Sequence, residues 1–238
     1  DNAGWLGVYG SLDTSDVHNW GSISIGSGGH AHFNRHIINE GTIGVYGGEV
    51  NAGTIYTGYG AIYQDALLKV QDGGSVTCSR GYLGYKLGSV GQATVDGAGS
   101  SWNCSGGLYV GYCYGQGTLE ISNGGYVSCN SAWIGRQSGS RGEVSVDDAG
   151  SSLSCDSSVY IGYSGQGTLN ISNGGNVSCG NDYDHGCVYI GFKPGSAGTV
   201  SVDGEGSSWS CSWDLYVGDS GQGTLNISNG GNVSCEHY

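Results

Sequence analysis

Apolar residues in this chain come in short bursts of period two, and the bursts themselves recur. In Thr168-Leu-Asn-Ile171 the apolar side chains alternate with polar ones, as in a half-buried β-strand. Ser172-Asn-Gly-Gly175 then supplies a turn, with Asn and Gly suited to positive φ. Asn176-Val-Ser-Cys179 is a second alternating burst and Val188-Tyr-Ile-Gly191 a third. The whole segment Gly165-Gln-Gly-Thr-Leu-Asn-Ile-Ser-Asn-Gly-Gly-Asn-Val-Ser-Cys179 returns almost letter for letter from Gly221, and again from Gly115. A cousin, Gly195-Ser-Ala-Gly-Thr-Val-Ser-Val-Asp-Gly-Glu-Gly-Ser-Ser-Trp-Ser-Cys211, alternates with it and has versions from Gly139 and Gly88. Leu68–Cys78, Gly21–Phe33 and the shortened Gly41–Val50 extend the series upstream, so that unit starts fall 20 to 30 residues apart.

Three strands of 3–5 residues in a unit of about 25 describe one coil of a parallel β-helix, in which no coil buries its inner face alone and stacking completes the core. The pattern predicts an all-β chain of about nine coils forming one β-helix over 1–238. Residues 1–20 read as a strand and corner completing a coil, 21–65 as divergent coils and 66–238 as regular alternating ones. A β-sandwich would show hairpin turns and less even repeats. A propeller needs blades of about 40–50 residues and longer strands.

Composition narrows the reading. The 50 Gly without a G-X-Y triplet exclude collagen, and Gly at that density excludes a helical bundle. Gly instead suits three tight corners per coil. Seven Lys and Arg against 20 Asp and Glu give a net charge of -13, which argues against a nucleic-acid partner. No apolar run approaches the ~20 residues of a membrane helix. With neither a Met start nor a signal peptide, the chain reads as a mature, processed or fragmentary product.

Equivalent positions in stacked coils form columns about 4.8 Å apart. Cys78, Cys104, Cys129, Cys155, Cys179, Cys211 and Cys235 share one such position. Val-Ser-Cys alternation turns them inward, as small core hydrophobes or as disulfides between neighbouring coils. Cys113 and Cys187 lie outside the column and too far apart to bond, and a Cys179–Cys187 bridge could close the inserted loop between them. Disulfides would imply an oxidising, extracellular setting.

A second column, Trp5, Tyr82, Tyr109, Trp133, Tyr160, Tyr189 and Tyr216, precedes a Leu/Val/Ile-Gly pair and faces outward. Exposed aromatics can form an interface or a sugar-stacking platform, or simply stabilise a sheet face by cross-strand pairing. Five Asn-x-Ser sequons, at Asn103, Asn170, Asn176, Asn226 and Asn232, are candidate N-glycosylation sites, though a repeat rich in Ser and Asn produces sequons by chance. Asp96, Asp147 and Asp203 occupy matching turns. Turn chemistry explains them, and calcium held by these together with Asp182 and Asp184 is the alternative. His30 and His32 face one way without a third ligand. An outward Ser/Thr column (Thr77, Ser128, Ser154, Ser178, Ser210, Ser234), a candidate ice-binding row, is interrupted by Asn103.

The alternating units Gly-x-Gly-Thr-Leu-x-Ile-Ser-Asn-Gly-Gly-x-Val-Ser and Val-Asp-Gly-x-Gly-Ser-Ser-Trp, followed by Leu-Tyr-Val-Gly, resemble the Gly-rich passenger repeats of bacterial autotransporters and related surface proteins. The resemblance covers about 66–238 well and 21–65 loosely. It implies a secreted right-handed β-helix, adhesive or structural, at the cell surface. The Cys column departs from that pattern, which carries polar residues there.

The seven basic residues, Arg35, Lys69, Arg80, Lys86, Arg136, Arg141 and Lys193, fall in different coils, and no nucleophile–base set stands out, so an enzyme is not expected. The chain stops after a second burst, at Cys235 and Tyr238, while Trp5 and Leu6 read as a third. Joined end to start, Cys235 to Leu6 spans 9 residues, within the internal range of 5 to 11. The expectation is therefore a non-enzymatic extracellular subunit that polymerises head to tail into a filament or surface matrix. The alternative is an adhesin that binds glycans through the aromatic column.

Overall fold

The computed structural model describes residues 1–60, 65–180 and 186–236. Among these residues every strand pairing is parallel, and the strands form two sheets of 10 and 13. The smaller sheet takes the first strand of each coil: Trp5–Val8, Ser22–Ile25, Thr42–Tyr46, Ala66–Gln71, Val90–Asp96, Gln116–Ser122, Arg141–Asp147, Gln166–Ser172, Ala197–Asp203 and Gln222–Ser228, defining coils 1 to 10. The second and third bursts form the larger sheet. In coils 1 to 6 they run together as single strands such as Ser75–Leu83 and Ser101–Val110, most of them with a register shift midway. From coil 7 they separate, as in Ser152–Cys155 and Val159–Ile161. The chain is a parallel β-helix. No helix of the described residues is long and apolar enough to cross a membrane.

The period-two bursts place their apolar members inward in unbroken columns. One runs from Leu6 through Ile23, Ile43, Leu68, Ala93, Leu119, Val144, Leu169 and Val200 to Leu225. The same pairings align Val8 with Ile25, Val45 and so on to Ile227. In the larger sheet Trp102 and Trp209 take places that hold Val in neighbouring coils, and both are fully buried. Gly81 of coil 4 makes room for the Trp102 indole, since a Cβ there would lie 2.5 Å from Cζ2. At the N-terminal end a buried Asn ladder replaces apolar packing. Asn2 Nδ2 donates to Asn19 Oδ1 (2.9 Å), Asn19 Nδ2 to Asn39 Oδ1 (2.8 Å), and Asn39 Nδ2 to the Leu67 carbonyl (3.0 Å).

Two sequence expectations change here. Trp5–Val8 is a first strand, in register with Ser22–Ile25, because Leu6 and Val8 continue the inward columns of Ile23 and Ile25. Coil 1 therefore lies within residues 5–19, and ten first strands stack rather than nine. Trp5 and Leu6, expected as a third strand that would follow Cys235, belong instead to a first strand of the smaller sheet. Asn2, bridged to Asn19, holds the third-burst register instead. Tyr238 lies outside the described residues.

The alternation of the two unit types has a physical cause at the first corner. Asp96 Oδ1 accepts hydrogen bonds from Ser122 Oγ and Asn123 Nδ2 of the next coil, both 2.7 Å. Asp147 does the same with Ser172 (2.6 Å) and Asn173 (2.8 Å), and Asp203 with Ser228 (2.6 Å) and Asn229 (2.7 Å). In the other direction, Ser100, Ser151 and Ser207 each accept the N–H of a turn Gly in the preceding coil (Gly73, Gly124 and Gly174; 3.0–3.1 Å). Each Val-Asp unit thus latches both neighbours: the following coil through the Ser-Asn of its turn, the preceding one through the first Gly of a Gly-Gly turn, which in coil 4 is Gln71-Asp72-Gly73-Gly74. The Asn residues of the Ser-Asn-Gly-Gly turns sit at φ near 50° and the following Gly near 88°, left-handed conformations that Asn and Gly tolerate best.

The hydrogen bonds from Asn123 and Ser122 hold the Asp96 carboxyl below its ordinary pKa, and those from Ser172 and Asn173 do so for Asp147. A carboxyl whose folded pKa is lowered contributes stability above its unfolded pKa of about 3.9, and that contribution is lost as pH falls through the folded value. Replacing Asp96 and Asp147 by Asn should flatten the decline of melting temperature below about pH 4. Asp147→Ala should cost about 1 kcal/mol at pH 7, hydrogen bonds to an exposed carboxylate being screened. Thermal unfolding followed across pH checks both.

Candidate functional site

The third burst builds a ridge along the outside of the helix. Register aligns Tyr56, Tyr82, Tyr109, Trp133, Tyr160, Tyr189 and Tyr216 in coils 3 to 9. Their rings stack face to face, with centroids 4.6–5.8 Å apart and planes within 12°. The ring spacing follows the coil spacing, so ordinary backbone pairing sets the stack.

Trp5 is absent from the column because it pairs with Ser22, and His18 and Ile38 hold the ridge position in coils 1 and 2. Tyr56 belongs to the column. Its Tyr-Thr-Gly context departs from the Leu, Val or Ile before Gly that marks the other members.

A second aromatic column lies beside the first. Each ridge residue is followed two positions later by a Gly with φ between 67° and 75°: Gly58, Gly84, Gly111, Gly135, Gly162, Gly191 and Gly218. A Cβ at Gly84 or Gly111 would collide with the backbone of Gln116 or Arg141 in the next-but-one coil's strand, so the corner excludes larger residues. The left-handed turn folds the next side chain back on the ridge. Tyr59, Tyr85, Tyr112 and Tyr163 thereby meet Tyr56, Tyr82, Tyr109 and Tyr160 edge to face at 5.1–5.6 Å, and Phe192 meets Tyr189 at 4.8 Å. The signal was present in the sequence as Gly-Tyr, Gly-Tyr, Gly-Tyr, Gly-Arg, Gly-Tyr, Gly-Phe. Arg136 takes the fourth place, its guanidinium 5.1–5.4 Å from Tyr109, Tyr112 and Trp133.

Most ridge faces are covered by neighbours, so the rings offer edges and hydroxyls outward rather than flat faces. Burial first, then neighbouring phenols, pushes Tyr82 up to about 12, and burial with Cys187 beside it does the same for Tyr189.

The seven column cysteines stand in register in coils 4 to 10, continued upstream by Ala52, Phe33 and Thr14. They do not behave alike. Cys211 and Cys235 form a disulfide, with Cα atoms 4.6 Å apart. Cys78 and Cys104 are thiols with sulfurs 3.3 Å apart, as are Cys129 and Cys155. A hydrogen bond shared with Cys78, which favours the protonated Cys104 thiol, and burial together hold Cys104 well above its ordinary pKa, and a bond shared with Cys129 and burial do so for Cys155. Cys179 is left between pairs, its Sγ directed at the Ser210 carbonyl (3.7 Å) and its pKa raised by burial. The Cys179–Cys187 bridge is not formed. Both are free, Cys187 lying at the entry to the third strand with its N–H on Ser158 Oγ. Cys113 is also free.

The sequon asparagines scatter. Asn226 and Asn232 are exposed on coil 10, and Asn170 is half-buried on the smaller sheet. Asn103 accepts from Ser128 Oγ (2.9 Å), and Asn176 Nδ2 donates to Ser208 Oγ (2.7 Å), a bond that a glycan on that nitrogen would replace. Thr77, Asn103 and Ser128 border a groove of about 400 Å³ whose lining includes Cys78 and Cys104. His30 Nδ1 meets Glu49 (2.9 Å) and His32 Nε2 meets Asn34 (2.8 Å). Asp96, Asp147 and Asp203 are occupied by the corner latches, and Asp182 and Asp184 lie outside the described residues. No group of three or more His, Cys, Asp or Glu among the described residues is placed to hold a metal ion.

These strands define the class, a parallel β-helix solenoid. No family model matches the chain, and no curated protein matches it. Among solved structures, the crystal structure of the TibC-catalyzed hyper-glycosylated TibA55-350 fragment covers 97% of this chain and 99% of its own, at 18% identity and a TM-score of 0.22. A TM-score that low leaves the fold to rest on the strand pairing itself.

The ridge and the column each generate a measurable outcome. A tyrosine whose folded pKa is raised stabilises fully below its unfolded pKa of about 10, and the contribution is lost as pH rises through the folded value. Stability should therefore fall between about pH 10 and 12, less steeply in Tyr82→Phe, which keeps the stack and removes the ionisation. For the cysteines, non-reducing peptide mapping should find Cys211 linked to Cys235 and Cys113, Cys179 and Cys187 alkylatable after unfolding. Oxidation by glutathione disulfide should join Cys78 to Cys104 and Cys129 to Cys155 before any other pair.

Proposed function

We propose that this chain is a non-enzymatic structural rod of an extracellular or cell-surface protein, whose coils stack on further coils of the same kind in a filament or surface matrix. The observation that carries this reading is where the outward side chains go. At the ridge and the first corner they bond coil to coil along the axis, and they do not converge on a pocket equipped for chemistry. An inter-coil disulfide suits an oxidising compartment.

A second reading, a surface adhesin, draws on the resemblance to autotransporter passenger repeats. It meets a constraint at the ridge, because sugar stacking uses ring faces and most faces here are covered by neighbouring rings.

Electron microscopy and sedimentation of the purified chain over a wide concentration range test the assembly. Ten coils make a rod about 48 Å long. The expected result is rods of constant width that lengthen with concentration, and compact single rods at every concentration would remove the filament from the proposal.

A further inference from the structure

Lys86, Arg136 and Lys193 are far apart in the sequence, yet they close coils 4, 6 and 8 on the aromatic ridge. Lys86 Nζ lies 3.9 Å from the Tyr59 ring centroid and Lys193 Nζ 4.6 Å from that of Phe192. Arg136 stands between them, over Tyr109, Tyr112 and Trp133. Lys86 and Lys193 are equivalent by fold, since Ser89 and Ser196 bond their carbonyls in the same way, and Arg136 precedes the corresponding Gln137. The chain has 20 acidic and 7 basic residues, but among the described residues no carboxylate lies within ion-pair distance of these three; Glu40 is near enough to feel the charge of Lys86 without pairing with it. Arg80 flanks the same ridge, close enough to favour the anions of Tyr56 and Tyr82.

Two coils advance about 9.6 Å, so the ridge carries one cation at about that interval between rows of phenol edges. We propose that this row is a docking surface for a linear acidic polysaccharide bearing one anionic group per disaccharide. An extended pyranose advances by close to one coil spacing, so a charge on every second sugar meets a cation on every second coil. Phenol hydroxyls between the cations donate to and accept from sugar hydroxyls, a contact that needs ring edges and not ring faces. A nucleic-acid strand places a phosphate about every 3.4 Å, which would set most of its charges against a protein of net charge -13 with no cation opposite. A neutral glycan would leave all three cations unmatched. The proposal goes beyond the structural role above, which stands whether or not the ridge is occupied.

The test titrates the full chain at low ionic strength with hyaluronan oligosaccharides, which carry one carboxylate per disaccharide, and with dextran and oligo-dT. Wild type should bind hyaluronan, more weakly as salt rises, and neither of the others comparably. The triple variant K86Q/R136Q/K193Q should lose about tenfold or more in affinity, while R35Q/K69Q/R141Q, with its changes elsewhere, should lose less than about twofold. Thermal unfolding reports whether the triple variant keeps its fold, and Lys86→Gln alone, at an exposed side chain, should already cost about threefold. No binding of hyaluronan, equal losses in the two triple variants, or tighter binding of dextran or oligo-dT would overturn the proposal.

Discussion

Parallel backbone pairing between successive coils governs everything else in this molecule. It fixes a single axial repeat of about 4.8 Å and aligns equivalent residues without offset. Any side chain repeated in the sequence therefore becomes a column in space. Apolar columns make a core that no coil could make alone, and aromatic ones make a stack whose ring spacing equals the sheet's. Thiols repeated in this way come within bonding distance. The same constraint punishes bulk, so Gly81 accommodates Trp102, and Gly115, Gly165 and Gly221 face Ser89, Ser140 and Ser196 at the third corner, where a Cβ would press on the serine of the preceding coil.

The two unit types are complementary halves of one two-coil period. An Asp that accepts from the following coil needs a Ser-Asn pair in that coil's turn, and a Ser that accepts from the preceding one needs a Gly-Gly turn there. That reciprocity resists slippage, since a shift by one coil would set Asp against Asp at exposed corners and leave the Ser-Asn pairs without their acceptor. It also gives the surface a two-coil rhythm, which the cations on the ridge share.

The ridge shows how packing alters what a residue can do. An outward aromatic in one strand would offer a face to a ligand. Seven in register cover one another, and most faces become contacts between coils. The left-handed Gly corner then adds a second row edge-on, so the surface is one of phenol edges and hydroxyls punctuated by positive charge. Burial within the stack keeps those hydroxyls protonated far above neutral pH.

The sequence by itself determined the class of fold, because period-two bursts in a unit of about 25 residues can be buried only by stacking, and repetition marks equivalent positions. It also identified the Cys column and all but one of the stacked ridge aromatics, each held at constant spacing from a Gly or Val. Divergent copies were harder. Tyr56 and coil 1 lacked the usual neighbours, and Trp5, read from Leu-Gly after it, belongs to a different sheet because Leu6 and Val8 complete inward columns. Tertiary structure alone decided which thiols approach, that Cys179 stands apart from Cys187, and that Lys86, Arg136 and Lys193 share one ridge. Local pattern says which way a side chain points, but partners across coils depend on the φ of each corner and on the register that all ten first strands settle together.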